Sequence, residues 1–390
     1  MDREFTFQER DERYVAERID ELPIEQVGLH VDRREVEEQR VLKEPEDRPF
    51  HTLCAVRPVF GYGHLSRVGA QPAERKPSMC AMSFPPEFDV ICDSCDAPIR
   101  LSSPPASHVA CPACGRRYDA SAGILRLCGA SAPLDYSESH YGALVPVEER
   151  HPWFRARSRA LLHALRATGS LRGRTVLDVG CGTGLLLAGL ERAGMIGCGV
   201  DMNVAGLEVA RRRVRGQLIR AAAGRVPVRG PVDLIVLGDV LEHVDDDVSL
   251  LRATAERVGD DGHIAITVPA DPRLWSAVDE ISGHKRRYSA SDLRRSLRDA
   301  GLMVVSLRHF NSWLWPLLLV RRLRWKPGSV QPSSARARDV VRANLATPPA
   351  PLAAAADLVA AIEISAPRSA LPFGASLVAL ARRARAGHTN

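Results

Sequence analysis

The sequence predicts an α/β protein: a doubly wound, largely parallel sheet preceded by a small four-cysteine unit. Three observations predict it. Short β-branched runs alternate with helical patterns from Thr175 onward, a glycine-rich turn joins the first of those runs to a helix, and two Cys-x2-Cys pairs stand ahead of both. At 390 residues, with 45% apolar and 26% charged side chains, the chain has a globular composition and room for two or three domains.

Residues 1–87 read as a disordered extension. The first fifty residues carry 16 acidic and 9 basic side chains, so within a net charge of +6 the rest of the chain carries +13. Few apolar residues there could anchor a helix to a core, and from residue 49 the pattern dissolves into scattered Pro and Gly. An alternative reading starts the chain at Met79 or Met82, just before the first recognisable module. The amino terminus has no apolar run of the secretory kind, and the longest apolar stretch, Trp313–Val320, is far short of the ~20 residues of a membrane crossing. The expectation is a cytoplasmic protein with no transmembrane segment. Of its 53 basic residues 49 are arginine, a coding bias before it is a nucleic-acid signal.

Residues 88–130 read as a zinc ribbon. Cys92-x2-Cys95 and Cys111-x2-Cys114, fifteen residues apart, have the spacing of a structural zinc site, each pair forming a knuckle that turns two thiolates toward one ion. Four unpaired buried thiols are the plainer alternative. A closed four-thiolate site would hold the fold and do no chemistry.

Residues 131–390 read as the main α/β domain. A polar connector over 131–152 leads to a helix with Pro152 in its first turn and Phe154, Leu161 and Leu165 on one face. The strands are expected at Thr175–Val179, Ile196–Asp201, Gln217–Ala221, Val232–Leu237, His263–Val268, Met303–His309 and Ser376–Ala381. Gly180-Cys181-Gly182-Thr183-Gly184, between the first strand and the helix Leu185–Arg192, lets a ligand approach backbone at a helix N-terminus. Asp201, ending the next strand, can accept both hydroxyls of a ribose. Asp178 beside the loop would repel a pyrophosphate and suits a cationic amino-acid ligand, which argues against a dinucleotide.

Val176-Leu177-Asp178-Val179-Gly180-Cys181-Gly182-Thr183-Gly184, Gly199-Val200-Asp201 and Asp239-Val240-Leu241-Glu242-His243 together resemble the class I S-adenosylmethionine-dependent methyltransferases over about 150–390. The resemblance implies a seven-stranded sheet, with Gly180, Cys181, Gly182 and Gly184 at the methionine end of the cofactor, Asp178 near its amino group, Asp201 on the ribose, and Asp239 among the cofactor contacts. Many relatives carry an Asp where this chain has Ala222, so adenine is expected to rest on backbone and on apolar contacts such as Met202. The four-cysteine unit resembles the small ribbon that precedes such domains in several bacterial proteins, some of which modify ribosomal RNA.

At the reacting end, His243 is the candidate base, with Glu242 and His284 beside it. The plainer alternative has Glu242 and His243 capping a helix over Val244–Val258. A sharper one follows from similarity to the Glu-x2-Glu-His plus distal His set of ubiquinone-pathway and small-RNA 2′-O-methyltransferases: a divalent ion at Asp239, Glu242, His243 and His284. Arg286 and Arg287 are candidates for binding a substrate phosphate or carboxylate, or a solvated charge pair.

A helical insertion at about 310–373 separates the last two strands. Its apolar and basic segments suit a cap over an oily substrate, a membrane-surface helix, or plain packing on the sheet. The expected function is methyl transfer to an O, N or C atom of a small-molecule or lipid-like acceptor. The alternatives are an RNA methyltransferase that uses the ribbon for recognition, and a non-catalytic zinc-ribbon module on a degenerate methyltransferase scaffold.

Overall fold

The computed structural model describes residues 88–99, 107–127, 144–323, 328, 330–331, 334–366 and 372–384. The reading of 1–87 as an extension, and of most of the connector, lies outside these residues.

The cysteine unit supplies β1 (Asp89–Ile91), β2 (Pro98–Ile99), β3 (His108–Ala110), β4 (Arg117–Asp119) and β5 (Ile124–Arg126). Helix α1 (Pro152–Arg166) follows, and then β6 (Thr175–Val179), α2 (Leu185–Arg192), β7 (Ile196–Asp201), α3 (Val204–Arg213), β8 (Gln217–Arg220), β9 (Val228–Arg229) and β10 (Val232–Gly238). The second half comprises α4 (Asp247–Ala255), β11 (Val258–Pro269), α5 (Ala277–Ile281), α6 (Ala290–Asp299), β12 (Leu302–Phe310), the insertion helices α7 (Trp315–Leu323), α8 (Ala335–Leu345) and α9 (Ala350–Ser365), and β13 (Ser376–Arg383).

The main sheet runs β12-β13-β11-β10-β6-β7-β8-β5-β4-β3, so the expected seven strands become part of ten. The chain order reverses between β6 and β10, which places a ligand crevice at their carboxyl ends. The last two strands pair antiparallel, with Phe310 opposite Ser376 and Leu302 opposite Arg383.

The cysteine unit does more than precede the sheet. Strand β5 pairs in parallel with β8, Ile124 opposite Leu218, and β1 pairs antiparallel with β9, Val90 opposite Val228. The physical reason is an edge: β8 would otherwise leave a row of backbone donors and acceptors open. The seven-stranded expectation missed this because ribbon strands of two or three residues are too short to carry a pairing signal.

Both sheet faces are covered, the mark of a doubly wound core. Alternate residues of β10 divide between them, Ile235 and Leu237 packing with Leu250, Leu251, Leu293 and Leu297, and Leu234 and Val236 packing with Leu161, Leu165, Leu187 and Leu207. The helix expected at Val244–Val258 is shorter. Asp246 caps α4 by accepting from the Ser249 N–H at 2.9 Å, and Val258 already belongs to β11. Glu242 and His243 therefore do not cap it; they lie in a separate 3-10 turn, Leu241–His243.

Candidate active site

A single cavity of about 960 Å³ runs from the glycine loop to the insertion helices. At one end the loop residues Gly180, Gly182 and Gly184 have φ of +79°, +52° and +73°, conformations that side-chain-bearing residues rarely adopt. Their surroundings differ. A Cβ at Gly180 would lie 2.4 Å from Val240 Cγ2 and one at Gly184 2.9 Å from Ala210 Cβ, whereas one at Gly182 would meet nothing within 4 Å because it faces the cavity. Gly180 and Gly184 are packing glycines, and Gly182 keeps backbone open to a ligand.

Asp201 ties this loop to β7, its Oδ2 accepting from the Gly182 N–H and its Oδ1 from the Asn203 N–H, each at 2.8 Å. Burial raises its carboxyl above the ordinary carboxylate range, against the pull of those backbone donors. Asp178 is 2% exposed, and its Oδ2 has no hydrogen-bond partner among the described residues. Burial pushes its carboxyl up to about 7, with the Arg157 guanidinium pulling down and the Asp201 charge adding to the rise. A buried, unpartnered carboxylate beside an open glycine loop fits the cationic amino group of an amino-acid-like cofactor. Cys181, buried in the same turn, stays a thiol because burial raises its pKa far up. Met202, Ala221, Ala222 and Ala223 line the adjoining wall, an apolar surface at the position expected for adenine.

Asp239, at the end of β10, adopts φ +58° and accepts from Thr267 Oγ1 at 2.9 Å and from Arg157. Arg157 itself lies over the Trp153 and Phe154 rings, 5.1 and 5.6 Å from their centroids. Phe154, expected on the core face of α1, is only half-buried and lines the cavity.

Beyond Asp239 the sequence-predicted trio converges. Ligand atoms of Glu242, His243 and His284 all lie within 4.8 Å of one another, and the two imidazole rings meet edge to face at 4.8 Å. Asp239, expected as a fourth member, stands outside this group because its carboxylate is committed to Arg157 and Thr267. Glu242 is buried, its Oε2 lacks a hydrogen-bond partner among the described residues, and burial, reinforced by the Asp239 charge, raises its pKa well above the ordinary range. His284 Nδ1 lies 2.9 Å from Asp279 Oδ1, which leaves Nε2 for a proton or a metal. Two imidazoles and a carboxylate suit a divalent ion that takes nitrogen and oxygen ligands.

Arg286 and Arg287, candidates for binding a substrate anion or a solvated pair, are both committed to protein partners, and Arg287 also lines the cavity. Arg286 donates to the Val244 and Asp245 carbonyls, and Arg287 to Asp279 Oδ1 at 2.7 Å and the Ala270 carbonyl at 3.0 Å. Both pin loops around the trio. The remaining wall comes from the insertion: Leu314, Leu317 and Leu318 near or within α7, and Val340, Val341 and Leu345 of α8.

Apart from this cavity, the four cysteines come together, with Cys92 and Cys114 sulfurs 3.7 Å apart and those of Cys95 and Cys111 3.6 Å apart. A tetrahedral zinc with bonds of about 2.3 Å separates its sulfurs by about 3.8 Å, so the set fits such an ion. Each knuckle closes alike: the Asp96 N–H donates to the Cys92 carbonyl and the Gly115 N–H to the Cys111 carbonyl, with φ of +57° and +73° at the two turning residues.

Three site residues escaped the sequence reading. Arg157 lies on what reads as the solvent face of α1. Glu148 is buried and accepts from Thr183 Oγ1 of the glycine loop at 2.8 Å. Asp279 reads as a helix-capping residue, and it is one: its Oδ2 accepts from Ser276 while Oδ1 serves His284 and Arg287. The Ser276-x2-Asp279 spacing could have found the cap, but nothing in it announces the histidine.

Residues 149–307 match the family model described as methyltransferase domain. The chain is 36% identical over 160 residues to the ubiquinone biosynthesis O-methyltransferase of Bordetella avium (strain 197N), covering 36% of this chain and 66% of that protein. It is 33% identical over 121 residues to the protein of the same name from Sodalis glossinidius (strain morsitans), covering 29% of this chain and 49% of that one. The chain thus spans about half to two thirds of the length of these relatives. Among solved structures, the complex between the Haloferax volcanii Trm112 methyltransferase activator and the putative methyltransferase is similar at 17% identity and a TM-score of 0.43, over 64% of this chain and 99% of that chain.

Proposed function

We propose that the class I S-adenosylmethionine-dependent methyltransferase domain carried by this chain transfers a methyl group to a hydroxyl of a small, apolar or lipid-like acceptor. The observation that carries the reading is the single cavity joining the glycine loop, the Glu242–His243–His284 trio and the roof of α7 and α8, whose leucines and valines stand beside Arg321, Arg322 and Asn344.

S-adenosylmethionine, when bound, would supply a sulfonium methyl for in-line displacement, with its sulfur as the neutral thioether leaving group. The chain's own residues align and deprotonate. Asp178 holds the cofactor's amino group, the open backbone at Gly182 admits its methionine end, Asp201 accepts from the ribose, and Met202 with Ala222 flanks adenine. Arg157, by neutralising Asp239, keeps a second carboxylate from competing for the same cation. The acceptor hydroxyl lies against the trio, where His243 takes its proton, and the insertion roof excludes water from the nucleophile.

The unpartnered Glu242 Oε2, facing two histidines, supports a second form of the same reading, in which Glu242, His243 and His284 hold a divalent ion that lowers the pKa of the acceptor hydroxyl. The four-cysteine set is read as a structural zinc site. RNA is the less supported acceptor, because the reacting end lies under helices and not along an open groove.

Calorimetry with S-adenosylhomocysteine, followed by mass spectrometry of hydroxylated aromatic and lipid acceptors incubated with S-adenosylmethionine, tests the assignment. His243→Ala should slow turnover by roughly 10²–10⁴ with cofactor affinity retained. If a divalent ion is used, a chelator and His284→Ala should have the same effect. Absence of cofactor binding would support the non-catalytic alternative.

A further inference from the structure

Helix α9 presents to solvent a face with no charged side chain. Leu352, Leu358 and Ile362 are 61%, 63% and 63% exposed, with Val359 between them. Its two acids turn inward: Asp357 pairs with Arg155 and Arg159 of α1, and the buried Glu363 accepts from the Ser312 N–H at 2.8 Å. The opposite face, Ala353, Ala356, Ala360 and Ile364, is buried. Four large apolar side chains exposed together on one helix face, with no charge among them, are the kind of contiguous patch that marks an interaction site.

The neighbouring helices say what kind. On α7, Val320 is 54% exposed, and Leu317 and Arg321 are exposed where they also line the cavity, while Arg336, Arg338 and Arg342 are exposed on α8. Residues 310–373 contain eight basic and three acidic side chains. Two of those acids are the inward-turned pair on α9. A second copy would set one such cationic face against another across a two-fold axis, which repels, whereas an anionic lipid surface pairs with guanidinium groups beside a strip that enters the acyl boundary.

We infer that α9, flanked by the arginines of α7 and α8, docks the protein peripherally on anionic membranes. The helices lie on the surface and do not cross it. Among the described residues no single helix is long and apolar enough to span; α8 and α9 would suffice together, but they meet at a 71° bend. The packing of α8 on α5 and of α9 on α1 keeps both against the domain. The same α7 and α8 roof the cavity, so docking sets the acceptor end beside the lipid phase. That use rests on the proposed methyltransferase reading; the docking itself does not.

The test is co-sedimentation of the full chain, without cofactor, with vesicles of phosphatidylcholine alone and of phosphatidylcholine with phosphatidylglycerol. Binding is expected to the anionic vesicles and to weaken with salt. Leu358→Glu with Ile362→Glu should lower the partition coefficient by more than about tenfold, and Arg338→Gln with Arg342→Gln by about fivefold per charge removed, with thermal transition and cofactor affinity unchanged. Equal binding by the wild type and the Glu variants overturns the inference. So does no vesicle binding together with a dimer that these variants dissociate. Failure of the methyltransferase reading would instead appear in cofactor calorimetry and leave vesicle binding intact.

Discussion

The Asp279 carboxylate holds the His284 ring, Oδ1 to Nδ1 at 2.9 Å, while its other oxygen accepts from Ser276 at the start of α5. One buried carboxylate thus fixes both a helix start and the orientation of a site histidine. Burial pushes its pKa up, but His284 and Arg287 outweigh that and hold it below the ordinary value.

From this contact, Asp279→Asn should reduce turnover, or divalent-ion affinity if an ion is used, by about 10–100-fold, because Asn keeps the volume but loses the charge and turns one of the two accepting oxygens into a donor. The sign of the pH effect follows from the depressed pKa. The pair's contribution is complete above the unfolded value near 4 and is lost as pH falls through the lower folded value. Wild type should therefore show an acid limb in melting temperature that the variant lacks. An unchanged limb and full turnover would show that Asp279 serves the helix alone.

Asp178 behaves oppositely. With a folded pKa of about 7 it keeps a proton that the unfolded chain releases near pH 4, so apo stability should fall as pH rises between those values. Cofactor affinity should rise through the same interval, since the cationic amino group prefers the ionised carboxylate. Melting curves at pH 5 and 8, with and without S-adenosylhomocysteine, read both slopes, and Asp178→Asn should flatten them.

Two glycines of one loop should respond differently to alanine. Gly180→Ala drives a Cβ to 2.4 Å from Val240 Cγ2 at a positive φ and should cost about 2–5 kcal/mol of stability. Gly182→Ala meets no protein atom within 4 Å, so its stability cost should be only the ~1–2 kcal/mol of left-handed backbone, with the larger loss in cofactor affinity. Denaturation and calorimetry on the two variants separate packing from binding.

The cysteine unit should couple to the cofactor pocket. Besides β5 on β8 and β1 on β9, the Leu127 N–H donates to the Arg220 carbonyl and the Ile91 N–H to the Pro227 carbonyl, on both sides of the cavity-lining segment that contains Ala221, Ala222 and Ala223. Metal analysis should find about one zinc per chain. Cys92→Ser with Cys111→Ser should remove it and weaken cofactor binding along with stability. Unaltered cofactor affinity in a zinc-free variant would show that the two regions are independent.

Much of the site was legible in residue types at fixed spacing. Gly180–Gly184 after a β-branched strand, Asp201 one strand later and Glu242–His243 after the fourth strand each carry their own chemistry, and local rules put them at one sheet edge. The paired cysteines are equally local. Arg157 and Asp279 were not legible, because their partners are distant in sequence or masked by a capping role.

The sequence by itself determined the order of the seven strands from Thr175 onward, the glycine turn, the cysteine knuckles and the candidates for chemistry, since periodicity, φ preference and ligand spacing act over a few residues. Only the tertiary structure decided that the cysteine unit continues the main sheet, that Asp239 pairs with Arg157 instead of joining the trio, that Arg286 and Arg287 hold loops, and that α9 turns its apolar side outward. Those outcomes depend on which unsatisfied edge, charge or face lies nearest after the chain closes on itself. That proximity is set by packing across the whole domain.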